Sequence, residues 1–134
     1  MNIVTCAILR NEQDAVLLCR RAPGQNHAGR WEFPGGKQEP GETLAQCLVR
    51  EMQEELALEV TVSAEICQTI YHYPGGSIQL IAFSCQCTNA QPQLQVHDSF
   101  AWVPPFQLLD YDLTEADISI AQVLIAYSSA NSAH

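Results

Sequence analysis

The stretch that most restricts how this chain can fold is residues 43–58, TLAQCLVREMQEELAL, where two patterns are superimposed. Leu44, Leu48, Met52 and Leu56 recur every four residues, the spacing of one apolar stripe on an α-helix. Thr43 followed by Gln46 fits a capping box, which satisfies free amides at the first turn, so the spacing predicts a helix over 43–56. Glu51, Glu54 and Glu55 are three and four residues apart and project from one side, roughly opposite Leu48 and Met52, with Arg50 on a neighbouring face. Carboxylates crowded there repel one another, and the helix dipole near the C-terminus worsens it. A fold must therefore bury the stripe and offset the repulsion. Divalent cations prefer such oxygens, and Mg²⁺ commonly bridges carboxylates to substrate phosphates. The plain alternative is a solvated acidic face.

The flanks read as strands. Residues 2–10 and 15–20 suggest two strands joined by the polar turn Asn11–Asp14. Residues 21–30 form a Pro-, Gly- and Asn-containing loop, Trp31–Phe33 a short strand, and 37–41 another loop. After the helix, two antiparallel strands flank Pro74-Gly75-Gly76. A short strand over 99–103 and an irregular turn precede a closing amphipathic helix over 115–127, and residues 128–134 are expected to fray. With 134 residues and no linker or repeat, the chain suits one domain, residues 1–134, of mixed α/β (α+β) class.

Net charge narrows the partners. At −9, with six Lys and Arg, the chain is poorly suited to binding a long nucleic acid through its phosphates. No apolar run approaches bilayer length, so no membrane partner is expected. The beginning, MNIVTCAILRNEQD, reads as a first strand rather than a signal peptide. The six cysteines lack zinc-site spacing and read as reduced core thiols of a cytoplasmic protein. A phosphate site on so acidic a chain would work through cations, which invert the local field.

The segment from Gly35 to Leu58 resembles the signature of the Nudix hydrolase family, G-x5-E-x7-R-E-U-x-E-E-x-G-U, where U is a bulky aliphatic residue. The matching residues are Gly36, Glu42, Arg50, Glu51, Met52, Glu54, Glu55 and Leu58. Ala57 stands where the family has glycine, a position that usually turns left-handed to close a helix; a cost of about 1 kcal/mol is expected, with no ligand lost. The resemblance implies a mixed β-sheet sandwiched between α-helices and a Mg²⁺ or Mn²⁺ site. Glu51, Glu54, Glu55 and the Gly36 carbonyl would be ligands, and Arg50 would orient a glutamate. Glu42 would support the loop, and Glu51 is the first choice for general base.

RRAPGQNHAGRWEFPGGK and WVPPFQLLDYDLTEADISI also resemble the MutT-like branch, whose members hydrolyse nucleoside triphosphates to monophosphate and pyrophosphate. Some of these clear 8-oxo-dGTP, and a sister branch prefers CTP and modified deoxycytidine triphosphates. The resemblance implies a small nucleotide substrate, a nucleotide-pool role, and a monomer or homodimer. Asp117 matches the base-reading position; an ionised carboxylate only accepts hydrogen bonds, which suits an amino group of cytosine or adenine, whereas one protonated by burial would donate instead. Its other reading is a helix N-cap. Tyr73 matches an aromatic near the base, or packs as an ordinary strand residue. Phe33 lines the pocket, and Arg21 matches a phosphate contact or is a solvated loop arginine. Gly76 replaces an arginine of an oxidised-guanine enzyme.

Six residues before Trp102, where many members carry a glutamate, stands Val96, which cannot ligate. His97 and Asp98 would substitute if the loop register shifts, or are solvated loop residues. His27 falls in the substrate-facing loop, and neither His72 nor His134 has an assigned role. Two alternatives remain: a Nudix hydrolase of ADP-ribose or a dinucleotide polyphosphate, and a silent nucleotide sensor. The retained carboxylates favour catalysis.

Overall fold

The structure, a computed structural model, describes residues 1–132; the sequence reading of His134 lies outside them. The chain runs β1 (Asn2–Leu9), β2 (Val16–Arg21), β3 (Trp31–Glu32), β4 (Gly35–Lys37), α1 (Leu44–Leu56), β5 (Thr61–Tyr73), β6 (Gly76–Gln86), β7 (His97–Val103), a 3₁₀ turn (Pro105–Asp110) and α2 (Glu115–Ser132). Strands β4-β1-β6-β5 form one sheet, in which β1 and β6 are parallel and the other pairs antiparallel. Strands β3-β2-β7 form a second, antiparallel sheet.

The period-2 alternation of β1 and β2 explains how two helices cover opposite faces. Cys6 and Ile8 of β1, with Val16 and Leu18 of β2, join Ile120, Ala121 and Leu124 of α2 in one buried cluster. Their neighbours Ala7, Leu9, Leu17 and Cys19 turn the other way and pack on Leu48, Met52 and Leu56 of α1. These three α1 side chains are fully buried, and truncating one costs roughly 2–5 kcal/mol. The mixed sheet between helices is therefore as anticipated.

Thr43 caps α1 with the reciprocal capping box: Gln46 N–H donates to its Oγ1 and the Gln46 side chain accepts from its amide. Ala57 closes the helix in the left-handed conformation, φ 54° and ψ 39°, with its N–H on the Gln53 carbonyl at 3.0 Å. The last turn of α1 carries no basic residue. Its free carbonyls are instead taken by the loop before β7: Gln93 N–H donates to Leu56 O at 2.8 Å and Gln95 N–H to Glu55 O at 3.1 Å.

Several local expectations are corrected. Lys37, expected to open the 37–41 loop, instead ends β4, whose residues 35–37 pair to β1 opposite Cys6, Thr5 and Val4. Strand β7 starts at His97, two residues earlier than the apolar run suggests, because His97 pairs with Arg21. Helix α2 continues to Ser132 rather than fraying from residue 128. It is less amphipathic than anticipated, exposing Val123 and Tyr127 beside its buried face. All six cysteines are free thiols.

Candidate active site

The β4–α1 connection brings Gly36 against Glu51. A Cβ at position 36 would lie 2.3 Å from the Glu51 carboxyl carbon, so only glycine leaves this carboxylate its place. Gly35 likewise presses on β1, where a Cβ would come within 2.0 Å of the Thr5 carbonyl oxygen. The Gly36 carbonyl accepts from Thr5 Oγ1 at 3.2 Å and, more weakly, from the Cys47 thiol at 3.6 Å.

Arg50 is the hub of the acidic cluster. Its guanidinium grips Glu42 through two bonds, 3.0 Å from Nε and 2.8 Å from Nη2. Nη1 reaches Glu51 at 2.9 Å and Glu54 at 3.2 Å, and Nη2 also donates to the Lys37 carbonyl. Hydrogen bonds from Arg50 hold the Glu42 carboxyl down at about 2, with the Glu39 amide adding to the effect. Burial pushes the Glu51 carboxyl up despite Arg50.

The three glutamates are not equivalent. The side chains of Glu51 and Glu55 are 16% and 14% exposed, whereas that of Glu54 is 59% exposed and held by Arg50. Glu55 is the one carboxylate of the three that Arg50 does not reach. Burial pushes its carboxyl up to about 8, helped by the charges of Glu32 and Glu51. Its Oε1 is buried without a partner among the described residues.

Sequence reasoning missed Glu32 and undervalued His97. Glu32 accepts two bonds from Arg21 Nη1, at 3.0 and 3.2 Å, and lies 2.9 Å from His97 Nε2. His97 is buried, not a solvated loop residue, and its Nε2 is 4.0 Å from Glu55 Oε2. Glu32, Glu55 and His97 together can hold a metal ion, with ligand atoms all within 4.8 Å of one another. An available signal was an acidic residue flanked by aromatics just before Pro34-Gly35-Gly36. Asp98 turns away and pairs with Arg20 at 2.7 Å.

Beside the cluster opens a cavity of about 580 Å³, bordered by Glu32 and Gly35 on the side of the carboxylates. Short strand β3 is tied to the start of α2: Trp31 N–H donates to Asp112 O and Thr114 N–H to Trp31 O. This tie sets Phe33 beside Asp117, whose Oδ2 accepts the Phe33 amide at 3.0 Å. Asp117 is 5% exposed, and burial pushes its carboxyl up to about 7, with Glu32 adding to the shift. It lies inside α2, so it is not the N-cap. Tyr71 and Tyr73 stack, with ring centres 6.5 Å apart, on the cavity wall, and Tyr71 donates to Glu115 across the cavity. Phe33, Tyr73, Asp117 and His27 all line this cavity; Arg21 does not, being engaged by Glu32 and the Asn26 carbonyl.

Known proteins share this framework. Residues 2–124 match the model of the NUDIX domain. The CTP pyrophosphohydrolase of Escherichia coli K12 is 36% identical over 131 residues, spanning 97% of this chain and 96% of that protein. A putative 8-oxo-dGTP diphosphatase 2 of Mycobacterium tuberculosis is 36% identical over 118 residues, 86% and 81% of the two chains. The solution structure of the E. coli ORF135 protein superposes with a TM-score of 0.84 at 34% identity, covering 97% of this chain and 92% of that one. The MutT protein from Methanosarcina mazei Go1 superposes with a TM-score of 0.85 at 26% identity, covering 97% and 94%. The β4–α1 unit with its Arg50-centred carboxylates, the cavity beside it and the match along nearly the whole chain make one conclusion plain: the protein belongs to the Nudix hydrolase family.

Proposed function

We propose that this protein hydrolyses nucleoside triphosphates to monophosphate and pyrophosphate with Mg²⁺ or Mn²⁺, in a nucleotide-pool sanitising role. Cytidine nucleotides, including modified deoxycytidine triphosphates, are its favoured class over 8-oxo-dGTP. The observation that carries the reaction type is Glu55, a largely buried carboxylate with one unpartnered oxygen, set beside Glu51 and the Gly35 backbone at the edge of a nucleotide-sized cavity.

The donors fit a hard divalent cation: Glu51, Glu54, Glu55 and the Gly36 carbonyl would hold it. When bound, such an ion neutralises phosphate oxygens and acidifies water. Glu51 then takes the proton of the attacking water, its place held by Arg50 Nη1 at 2.9 Å. Water adds to phosphorus and the phosphoanhydride bond between the α- and β-phosphates breaks, giving monophosphate and pyrophosphate. Glu42 acts through Arg50, fixing the guanidinium by two bonds rather than touching phosphorus.

Asp117 supports the choice of base. Its Oδ2 accepts the Phe33 amide. The remaining lone pairs, when it is ionised, accept from an exocyclic amino group such as that of cytosine. The name of the E. coli relative, a CTP pyrophosphohydrolase, agrees with this reading.

A screen of canonical, oxidised and methylated nucleoside triphosphates with Mg²⁺, read as pyrophosphate release, tests the proposal. The expected outcome is highest kcat/KM for a cytidine nucleotide and loss of turnover in Glu51→Gln with an unchanged fold. Saturable binding without turnover of any nucleotide would make the domain a sensor instead. Near-normal rates in Glu51→Gln would remove Glu51 as the base.

A further inference from the structure

We propose that Glu32, Glu55 and His97 form a second cation centre, whose imidazole nitrogen gives it a preference for first-row transition cations such as Co²⁺ or Zn²⁺ over Mg²⁺. The proposal touches the hydrolase reading at Glu55, which would serve both centres.

Three elements far apart in sequence converge to make it: β3 supplies Glu32, the last turn of α1 supplies Glu55, and β7 supplies His97. His97 Nε2 stands 2.9 Å from Glu32 Oε2 and 4.0 Å from Glu55 Oε2. Donors bound about 2.0–2.2 Å from one ion are themselves roughly 3–4 Å apart, so this spacing needs little adjustment. The His97 side chain is 0% exposed, which places a nitrogen donor inside the cluster rather than in solvent.

The second observation is incomplete compensation at Glu55, whose charge is eased by the Gly35 amide and by Arg21. Arg50 serves Glu42, Glu51 and Glu54 but not Glu55. A buried Oε1 without a partner among the described residues, on a carboxylate pushed up by burial and by the charges of Glu32 and Glu51, calls for a proton or a cation. Arg21 grips Glu32 at 3.0 and 3.2 Å, as an outer partner orients a ligating carboxylate. Each Glu32 oxygen has two lone pairs, so Oε2 can serve both Arg21 and an ion. Imidazole suits Zn²⁺ and its neighbours, while Mg²⁺ prefers oxygen and water. With Nε2 on the ion, the ring proton resides on Nδ1, which is buried and has no partner among the described residues.

That buried proton supplies the test. Co²⁺ alone is titrated into the nucleotide-free protein while the proton NMR spectrum is followed. One hyperfine-shifted, slowly exchanging N–H resonance is expected; it should resist an excess of Mg²⁺ and be absent from His97→Gln. Its absence from the wild type at saturating Co²⁺ overturns the proposal, as does its persistence in a folded His97→Gln. Should that variant not fold, Glu32→Gln retains the imidazole and is expected to weaken Co²⁺ binding about 10- to 100-fold. Unchanged Co²⁺ affinity there overturns the proposal. Mg²⁺-dependent turnover is measured separately: turnover without the resonance defeats this centre and leaves the hydrolase standing, and the converse result does the opposite.

Discussion

Gly36 and Glu51 are in contact so close that a single added methyl group on the glycine would stand 2.5 Å from Glu51 Oε1. The backbone of β4 thus sets where this carboxylate rests. Gly36→Ala is expected to push Glu51 aside and cut kcat roughly 100-fold, because displacement of a reacting group by about 1 Å has that effect. The α1 core on the opposite side is untouched, so circular dichroism should remain that of the parent. Rates within a few-fold of wild type would show that Glu51 tolerates the shift and is not the base.

Arg50 makes hydrogen bonds to Glu42, Glu51, Glu54 and the Lys37 carbonyl with one planar fork. A lysine keeps the charge but cannot reproduce the two bonds to Glu42. Arg50→Lys is expected to lower kcat by about 10- to 100-fold with a smaller change in KM, since it disorders Glu51 rather than the base cavity. Steady-state kinetics separate the two; a rise in KM alone would contradict the role.

At Ala57 the φ of 54° burdens a residue with a Cβ. Ala57→Gly is expected to stabilise the fold by about 1 kcal/mol, or roughly 4 °C in Tm for a domain of this size. Turnover should be unaffected, because Ala57 carries no group that the site uses. Calorimetric melts of the two proteins decide it.

The raised carboxyls of Asp117 and Glu55 make metal-free stability depend on pH. Asp117 is shifted from an ordinary 3.8 to about 7, and Glu55 from 4.5 to about 8. Between each pair of values the folded state keeps a proton that the unfolded chain releases. Rising pH therefore favours unfolding, and the contribution is lost progressively from about pH 4 to 8. In EDTA, Tm should fall between pH 5 and pH 8. Asp117→Asn, which retains an acceptor for the Phe33 amide, should flatten that slope. Glu42, held at about 2, works in the other direction: its contribution is present above pH 4.5 and lost as pH falls toward 2.

What the sequence revealed follows from the range of the interactions involved. The α1 stripe, the Thr43–Gln46 box and the β5–β6 hairpin are local patterns of period and turn chemistry, and each is present at its anticipated place. The inequality of the three glutamates was not legible, because it depends on which of them Arg50 reaches after β4 docks. Glu32 and His97 were harder still. Their significance arises from the pairing of β2 with both β3 and β7, a contact between segments 65 residues apart, which no local pattern encodes. Counting residues back from Trp102 assumed a loop at His97, whereas pairing with Arg21 extends the strand and carries the imidazole inward.

The amides of Gln93 and Gln95 terminate α1 where a lysine or arginine would ordinarily do so. They thereby moor the 87–96 connection to the turn that presents Glu55. Lengthening that connection ahead of Gln93 leaves the mooring intact, whereas an insertion after Gln95 slackens the lead-in to His97. The permissible site for remodelling this loop is consequently its outer arc, where length can change without loosening the helix terminus beneath.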